Sequence, residues 1–274
     1  MDLRGWSREL GRLVLPVACA GCGLDDVVWC GRCRALYDRA PWRCEQRARR
    51  LDELGLADPL PVWTVADGTG PARQVVVSWK DHARADLAPL LAQVLRGAAR
   101  AVACSLPSAP LLVVPAPSTA ASVRRRGSDL VARLAVAAAD GLRDGGRQAR
   151  AARVVRRRGG DQVGLGARER ARNMAGRVTV RRGVVGLDGA RVVLVDDVLT
   201  TGATLAACRR ALEARGAVVV AALTLASTPP PGAARGVSPQ GTAVGAPRTA
   251  GLAWWSEPTA PTAPPTGGPG APRR

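Results

Sequence analysis

The chain reads as an α/β protein in which a parallel sheet is covered by helices, with a small metal-binding module ahead of it and a disordered tail behind. Three observations predict this. Short apolar segments rich in Val and Leu alternate with helix-length segments between residues 62 and 225, the pattern of parallel strands joined by crossovers. The run Val192-Val193-Leu194-Val195 is apolar at four consecutive positions, as expected of a strand buried on both faces. Residues 229–274 hold 11 of the 21 prolines and 8 glycines without hydrophobic periodicity, too little apolar surface to offset the entropy of ordering.

Taken in order, residues 1–18 carry the apolar stretch Leu13-Val14-Leu15-Pro16-Val17-Ala18. As a secretory signal it is poor, because Asp2 and Glu9 stand where cations belong and Pro16 interrupts the run. A short amphipathic helix leading into the cysteines is expected instead. Cys19-Ala-Gly-Cys22 and Cys30-Gly-Arg-Cys33 then form two C-x-x-C knuckles, each aiming two thiolates at one point. Together Cys19, Cys22, Cys30 and Cys33 complete the S₄ shell that zinc accepts, and a fully protein-filled shell is structural and not catalytic. Cys208, at helical spacing with Leu205 and Leu212, reads as a packed core thiol, Cys104 likewise, and Cys44 as a leftover that binds nothing alone.

Strands are expected at 62–66 and 74–79, a helix at 87–102, a strand at 111–114 entering Pro115-Ala116-Pro117, and a helix at 130–142. Further strands are expected at 153–156 and 177–181, with the glycine-rich 159–166 between them as a candidate mobile flap. The helix after the acidic strand covers 202–215, Gly216 ends it, and a buried strand follows at 217–225. The domain boundaries expected are 1–55 for the zinc-binding module, 60–226 for the α/β domain and 227–274 for the tail. No run reaches the ~18 apolar residues of a membrane span, which together with reduced, metal-bound cysteines predicts a cytoplasmic protein.

The chemistry is concentrated after the buried strand, in Asp196-Asp197-Val198-Leu199-Thr200-Thr201-Gly202-Ala203-Thr204. Two carboxylates at a strand's carboxyl end lie where open α/β sheets bind ligands, and are expected to face solvent. The turn that follows opens a helix, so backbone N–H groups and three hydroxyls can converge on one anion at the positive end of the helix dipole. Acids for vicinal hydroxyls beside amides for a phosphate suit a polyhydroxylated phosphate ester. The acidic strand of a P-loop ATPase reads similarly, but the only lysine, Lys80, follows Trp79, so no G-x-x-x-x-G-K-[ST] exists.

As a whole this motif resembles the phosphoribosyl-pyrophosphate loop of type I phosphoribosyltransferases. The resemblance implies that Asp196 and Asp197 bind the ribose 2′- and 3′-hydroxyls, and that Thr200, Thr201, Gly202, Ala203 and Thr204, entered from Val195, wrap the 5′-phosphate. A zinc knuckle joined to such a loop resembles the ComF family, named for DNA uptake during natural competence. Val113-Val114-Pro115-Ala116-Pro117 is similar to that family's Pro-Val-Pro strand end, implying a pyrophosphate loop at Pro115, Ala116 and Pro117. Trp79-Lys80, Arg126-Gly127 and the residues Gln162, Leu165, Arg170 and Asn173 match further family positions, whereas the family's Arg-Gly-Phe-Asn-Gln reads here Arg126-Gly127-Ser128-Asp129-Leu130, without the Asn-Gln pair. The resemblance covers roughly residues 10 to 226. It implies a type I phosphoribosyltransferase-like fold, Mg²⁺ bound with phosphoribosyl pyrophosphate or a related sugar-phosphate, and Lys80 and Arg126 as cationic helpers. Single-stranded DNA and a competence helicase or ATPase are the macromolecular partners it implies.

Charge adds a second theme. The net charge is +18, carried by 39 arginines and one lysine, and residues 120–185 alone contribute +12 against +1 for residues 1–60. A basic middle implies an anionic partner. Arg124-Arg125-Arg126 and Arg156-Arg157-Arg158 suit a pyrophosphate, a nucleic-acid backbone or plain solvated surface. No aromatic side chain lies among them to stack a base. The alternative function is therefore a non-catalytic nucleic-acid-binding adaptor that senses sugar-phosphates or DNA ends.

Overall fold

The structure is a computed structural model and describes residues 17–48, 50–51, 59–82, 84–157 and 178–230. The helix expected before the knuckles, the flap at 159–166, the matching residues Gln162, Leu165, Arg170 and Asn173, Arg158, and the tail beyond 230 with Trp254-Trp255 lie outside the described residues. Along the chain run α1 (Gly31–Arg34), β1 (Trp42–Arg43), a 3-10 turn (Glu45–Arg47), β2 (Val62–Asp67), α2 (Gly70–Asp81) and α3 (Leu87–Val102). After a second 3-10 turn (Ala103–Ser105) come β3 (Leu111–Pro115), α4 (Ala120–Arg126), α5 (Leu130–Asp144), β4 (Ala149–Ala151), β5 (Val155–Arg157), β6 (Val178–Val180), β7 (Arg191–Leu199), α6 (Ala203–Glu213) and β8 (Val218–Ser227).

Six strands form one sheet in the order β1-β2-β8-β7-β3-β4. All neighbours are parallel except β1, an antiparallel edge strand. Residues 192–195 of β7 are fully buried, as the unbroken apolar run requires of a strand with helices on both faces. Helices α3 and α5 pack on each other and on the sheet, and Arg96 Nε closes the pair on Asp144 Oδ2 at 2.6 Å. Gly141 permits their close approach: a Cβ there would lie 2.0 Å from the Arg96 carbonyl oxygen. β5 and β6 pair antiparallel as a separate ribbon against α6, outside the parallel sheet that the alternation suggested.

Two expectations are corrected. Residues 74–79 are not a strand but the heart of α2. Their β-branched run favours a strand locally, yet Ala72, Val75, Val76 and Trp79 recur at helical spacing, and burying that stripe overrides local preference. Cys104 is exposed on a 3-10 turn and is not a core thiol, because its carbonyl and that of Ala103 face Arg147 while the side chain points outward. Cys208 and Cys44 are both fully buried. Among the described residues one stretch, Leu87–Ser105, is long and apolar enough to cross a membrane, and half of it is buried inside the protein against α5 and the sheet.

The topology places the site. From β3 the chain moves on to β4 in one direction, and from β7 it moves to β8 in the other. A crevice opens at such a reversal, outside the strands' carboxyl ends. The two loops flanking it are 115–118, after β3, and 200–202, after β7.

Candidate functional site

β7 continues past its apolar run, because Asp196 pairs with Thr224 and Leu199 with Ser227 of β8. The two carboxylates are thus held within a strand and do not face solvent freely, as the sequence had suggested: Asp197 is only 7% exposed and Asp196 is half-buried. Asp196 Oδ1 accepts the Asp197 backbone N–H at 2.9 Å. Burial first, and the neighbouring Asp197 charge second, push the Asp196 carboxyl up to about 8. Asp197 Oδ2 sits 2.8 Å from Lys80 Nζ, which reaches it from the last turn of α2. The Lys80 carbonyl in turn accepts Arg126 Nε at 2.5 Å. Arg126, with its side chain 12% exposed, also lies 3.6 Å from Asp81. Its guanidinium is therefore spent on the end of α2, behind Lys80.

After β7, Thr200 and Thr201 are exposed and Gly202 turns the chain with φ of 80°. α6 then begins at Ala203, whose N–H donates to Thr201 Oγ1 at 3.4 Å, and with no acidic residue in its first turn the next N–H groups have no intrahelical acceptor. The turn rests on the segment leaving the N-terminal module. A Cβ on Gly202 would meet Leu51 Cγ at 2.8 Å and Ala48 Cβ at 2.9 Å. Arg50 donates its backbone N–H to the Thr201 carbonyl at 3.2 Å. Nothing in the sequence pattern pointed to Ala48, Arg50 or Leu51.

Across the crevice, Pro115 pairs with Val195, and Ala116 donates its N–H to the Val195 carbonyl at 2.8 Å. Pro115 and Pro117 have no N–H to give. Loop 115–117 therefore contributes shape, and charge must come from side chains. Beside it opens a cleft of about 320 Å³ bounded by Pro115, Pro117, Arg124, Arg153, Arg156 and Arg181. Asp129 organises this wall. Its carboxylate caps α5 through the Ala132 N–H, accepts Ser118 Oγ at 3.0 Å and meets Arg153 at 2.7 Å. The sequence marks Arg124 and Arg156 as members of basic runs, but not that Arg153 and Arg181 join these two at the cleft.

The four knuckle cysteines converge, with all their sulfurs within 4.8 Å of one another. Cys22 and Cys30 Sγ lie 3.7 Å apart, against about 3.8 Å for the edge of a tetrahedron with ~2.3 Å zinc–sulfur bonds. Burial opposes charge on Cys19, but the N–H groups of Cys30, Cys22 and Gly21 outweigh it and hold the thiol down to about 6. Burial pushes the Cys33 thiol up. A soft four-thiolate shell of this size fits a tetrahedral divalent metal with no open position.

Residues 127–235 match the family described as phosphoribosyl transferase domain. Among solved structures, a hypoxanthine phosphoribosyltransferase from Staphylococcus aureus is 14% identical, over 52% of this chain and 74% of that one, with a TM-score of 0.31. No curated protein matches the chain. The mostly parallel sheet, the acidic strand with its hydroxyl-rich turn and the matching family description together make this a type I phosphoribosyltransferase-like fold, with a four-cysteine cluster near its N-terminus.

Proposed function

We propose that the chain binds phosphoribosyl pyrophosphate in the crevice between loops 115–118 and 200–202, as a ComF-like phosphoribosyltransferase-domain protein linked to DNA uptake in the cytoplasm. The observation that carries this reading is the carboxylate pair running straight into a Thr-Thr-Gly-Ala-Thr turn at the head of a helix, on the carboxyl edge of a parallel sheet. Asp196 and Asp197 accept the ribose hydroxyls, and residues 200–204 surround the 5′-phosphate with N–H and O–H donors. Lys80 neutralises Asp197 in the ligand-free site and stands at the crevice for the diphosphate, while Arg126 positions Lys80 through its carbonyl. Mg²⁺ fits only alongside the ligand, where the hard oxygens of the diphosphate complete a shell these two carboxylates cannot, and it supplies charge neutralisation there. In a transfer reaction the acceptor nitrogen bonds to C1 of the ribose as the C1–O bond to pyrophosphate breaks. The metal of the four cysteines is zinc.

Calorimetric titration of phosphoribosyl pyrophosphate with Mg²⁺ tests the reading. The unaltered protein should bind, and the double variant Asp196→Asn, Asp197→Asn should lose at least tenfold in affinity. Pyrophosphate release with a panel of nucleobases then separates a transferase from a binding protein. Absence of binding by the unaltered protein would sink the proposal.

The arginines of the 320 Å³ cleft favour a second reading, an adaptor that holds single-stranded DNA by its backbone and works with a competence ATPase. Binding of that kind weakens with salt at a slope of about 0.7 per neutralised phosphate. Arg156→Glu with Arg181→Glu should flatten the slope equally for all sequences.

A further inference from the structure

We infer that the metal centre and the sugar-phosphate loop are energetically coupled: the cysteine module holds in place both the helix that carries Lys80 and the turn at Gly202, so that losing the metal weakens sugar-phosphate binding. This rests on the reading of that loop given above.

Two separate routes connect the centres. The first runs through α2. Tyr37 Oη donates to the Ala72 carbonyl at 2.7 Å, which grips the first turn of the helix. Ser78 Oγ donates to the Ala20 carbonyl at 3.1 Å, which grips its last. Just beyond, Arg84 donates to the Ala18 carbonyl at 2.9 Å and the Val28 carbonyl at 3.4 Å. Ala18, Ala20 and Val28 lie between and beside the ligating cysteines, and Lys80 follows Ser78 by two residues. The helix is thus held at both ends by the module, and Lys80 in its last turn carries the ammonium group to Asp197.

The second route is the chain leaving the module. β1 adds to the sheet edge, and Arg47 pairs with Asp67 while donating to the Ser227 carbonyl at 3.2 Å. These contacts deliver Ala48 and Leu51, both buried, beneath Gly202, and the Arg50 N–H to Thr201. Thr200 and Thr201 are otherwise exposed, so this segment is the floor of the turn.

Besides the edge-on packing of Trp29 on Tyr37, the cross-link available to the two knuckles is a metal held by their four cysteines. Between residues 19 and 34 the only regular element is the four-residue α1. Its internal support is a few turn hydrogen bonds, such as Cys19 N–H to the Leu24 carbonyl. A segment this short has little fold without its metal. Metal loss therefore loosens the hold on α2 directly and reaches the floor of the turn only through the chain leaving the module, which β1 and Arg47 also anchor on the sheet; linkage makes the effect reciprocal, so the ligand must tighten the metal by the factor by which the metal tightens the ligand.

The test uses the metal-loaded full chain. A chromogenic chelator is titrated with and without saturating phosphoribosyl pyrophosphate and Mg²⁺, and the Asp196→Asn, Asp197→Asn variant reports any metal taken by the ligand itself. Saturation should raise the chelator needed for half-removal at least about fivefold in the unaltered protein alone. Leu51→Ala and Tyr37→Phe each cut one route without touching a cysteine. With metal content unchanged, each should bind phosphoribosyl pyrophosphate several-fold more weakly. If Leu51→Ala does not fold, Tyr37→Phe and the chelator curves decide. Superimposable chelator curves despite ligand binding, or variants that bind as tightly as the unaltered protein, overturn the coupling alone. Failure of the unaltered protein to bind overturns the functional reading and the coupling with it.

Discussion

Replacing Gly202 by Ala perturbs two things that the structure separates. With φ at 80°, the position lies in the left-handed region, which costs an L-residue about 1–2 kcal/mol. The added Cβ also falls 2.8 Å from Leu51 Cγ and 2.9 Å from Ala48 Cβ, and crowding of that kind costs about 1–3 kcal/mol. The expected loss for Gly202→Ala is thus roughly 2–5 kcal/mol. Leu51→Ala alone removes a buried side chain and should cost about 2–5 kcal/mol through transfer and cavity terms. In the double variant the shortened residue 51 no longer meets the new methyl, which partly fills the space it left. The backbone strain and the Ala48 contact remain. The two losses should therefore fall short of additivity by about 1 kcal/mol or more, as residues in contact do. Urea unfolding of the four proteins, followed by circular dichroism, measures the cycle. Strict additivity would refute the placement of Leu51 beneath the turn, and an unaffected Gly202→Ala would refute the left-handed backbone itself.

Asp196→Asn should stabilise the protein increasingly as pH rises. The folded carboxyl sits near 8 against about 4 in an unfolded chain, so the fold disfavours its charge, and stability is lost between those two values as pH rises. Thermal melts from pH 5 to 9 that stay parallel for the two proteins would refute this. If the proposed zinc occupies the four cysteines, elemental analysis of the unaltered protein should give about one zinc per chain, and Cys19→Ser should lose it and lower the melting temperature; a folded variant of unchanged stability without metal would show that the cluster is not structural. Asp129→Ala should lose about 0.5–2 kcal/mol for its cap on α5 and release Ser118 and Arg153 with it, read as a lower urea midpoint and a weakened response of the cleft to anions. An unshifted midpoint would mean that Asp129 does not organise the wall.

What the sequence determined was whatever depends on near neighbours along the chain. The two C-x-x-C pairs, the apolar run of β7 and the Asp-Asp to Thr-Thr-Gly-Ala-Thr passage each carry their geometry locally, in turns, pleat alternation and a helix start. The expected helix at 87–102 and the buried strands β2, β3, β7 and β8 were legible for the same reason, since a helical period or an unbroken apolar run marks them, whereas the edge strands β1 and β4, two and three residues long, carry no such pattern. Residues 74–79 were misread because three consecutive valines favour a strand, and only the partners of the Ala72, Val75, Val76 and Trp79 stripe make the helix the better burial. Tertiary structure alone decided that Lys80 neutralises Asp197, that Arg126 is spent on the Lys80 carbonyl, that Asp129 gathers Ser118 and Arg153, and that Leu51 floors the Gly202 turn. Each of these joins residues distant in the chain, and such pairs form only because the sheet order returns the strands to one edge, a closure whose energetics no local pattern encodes.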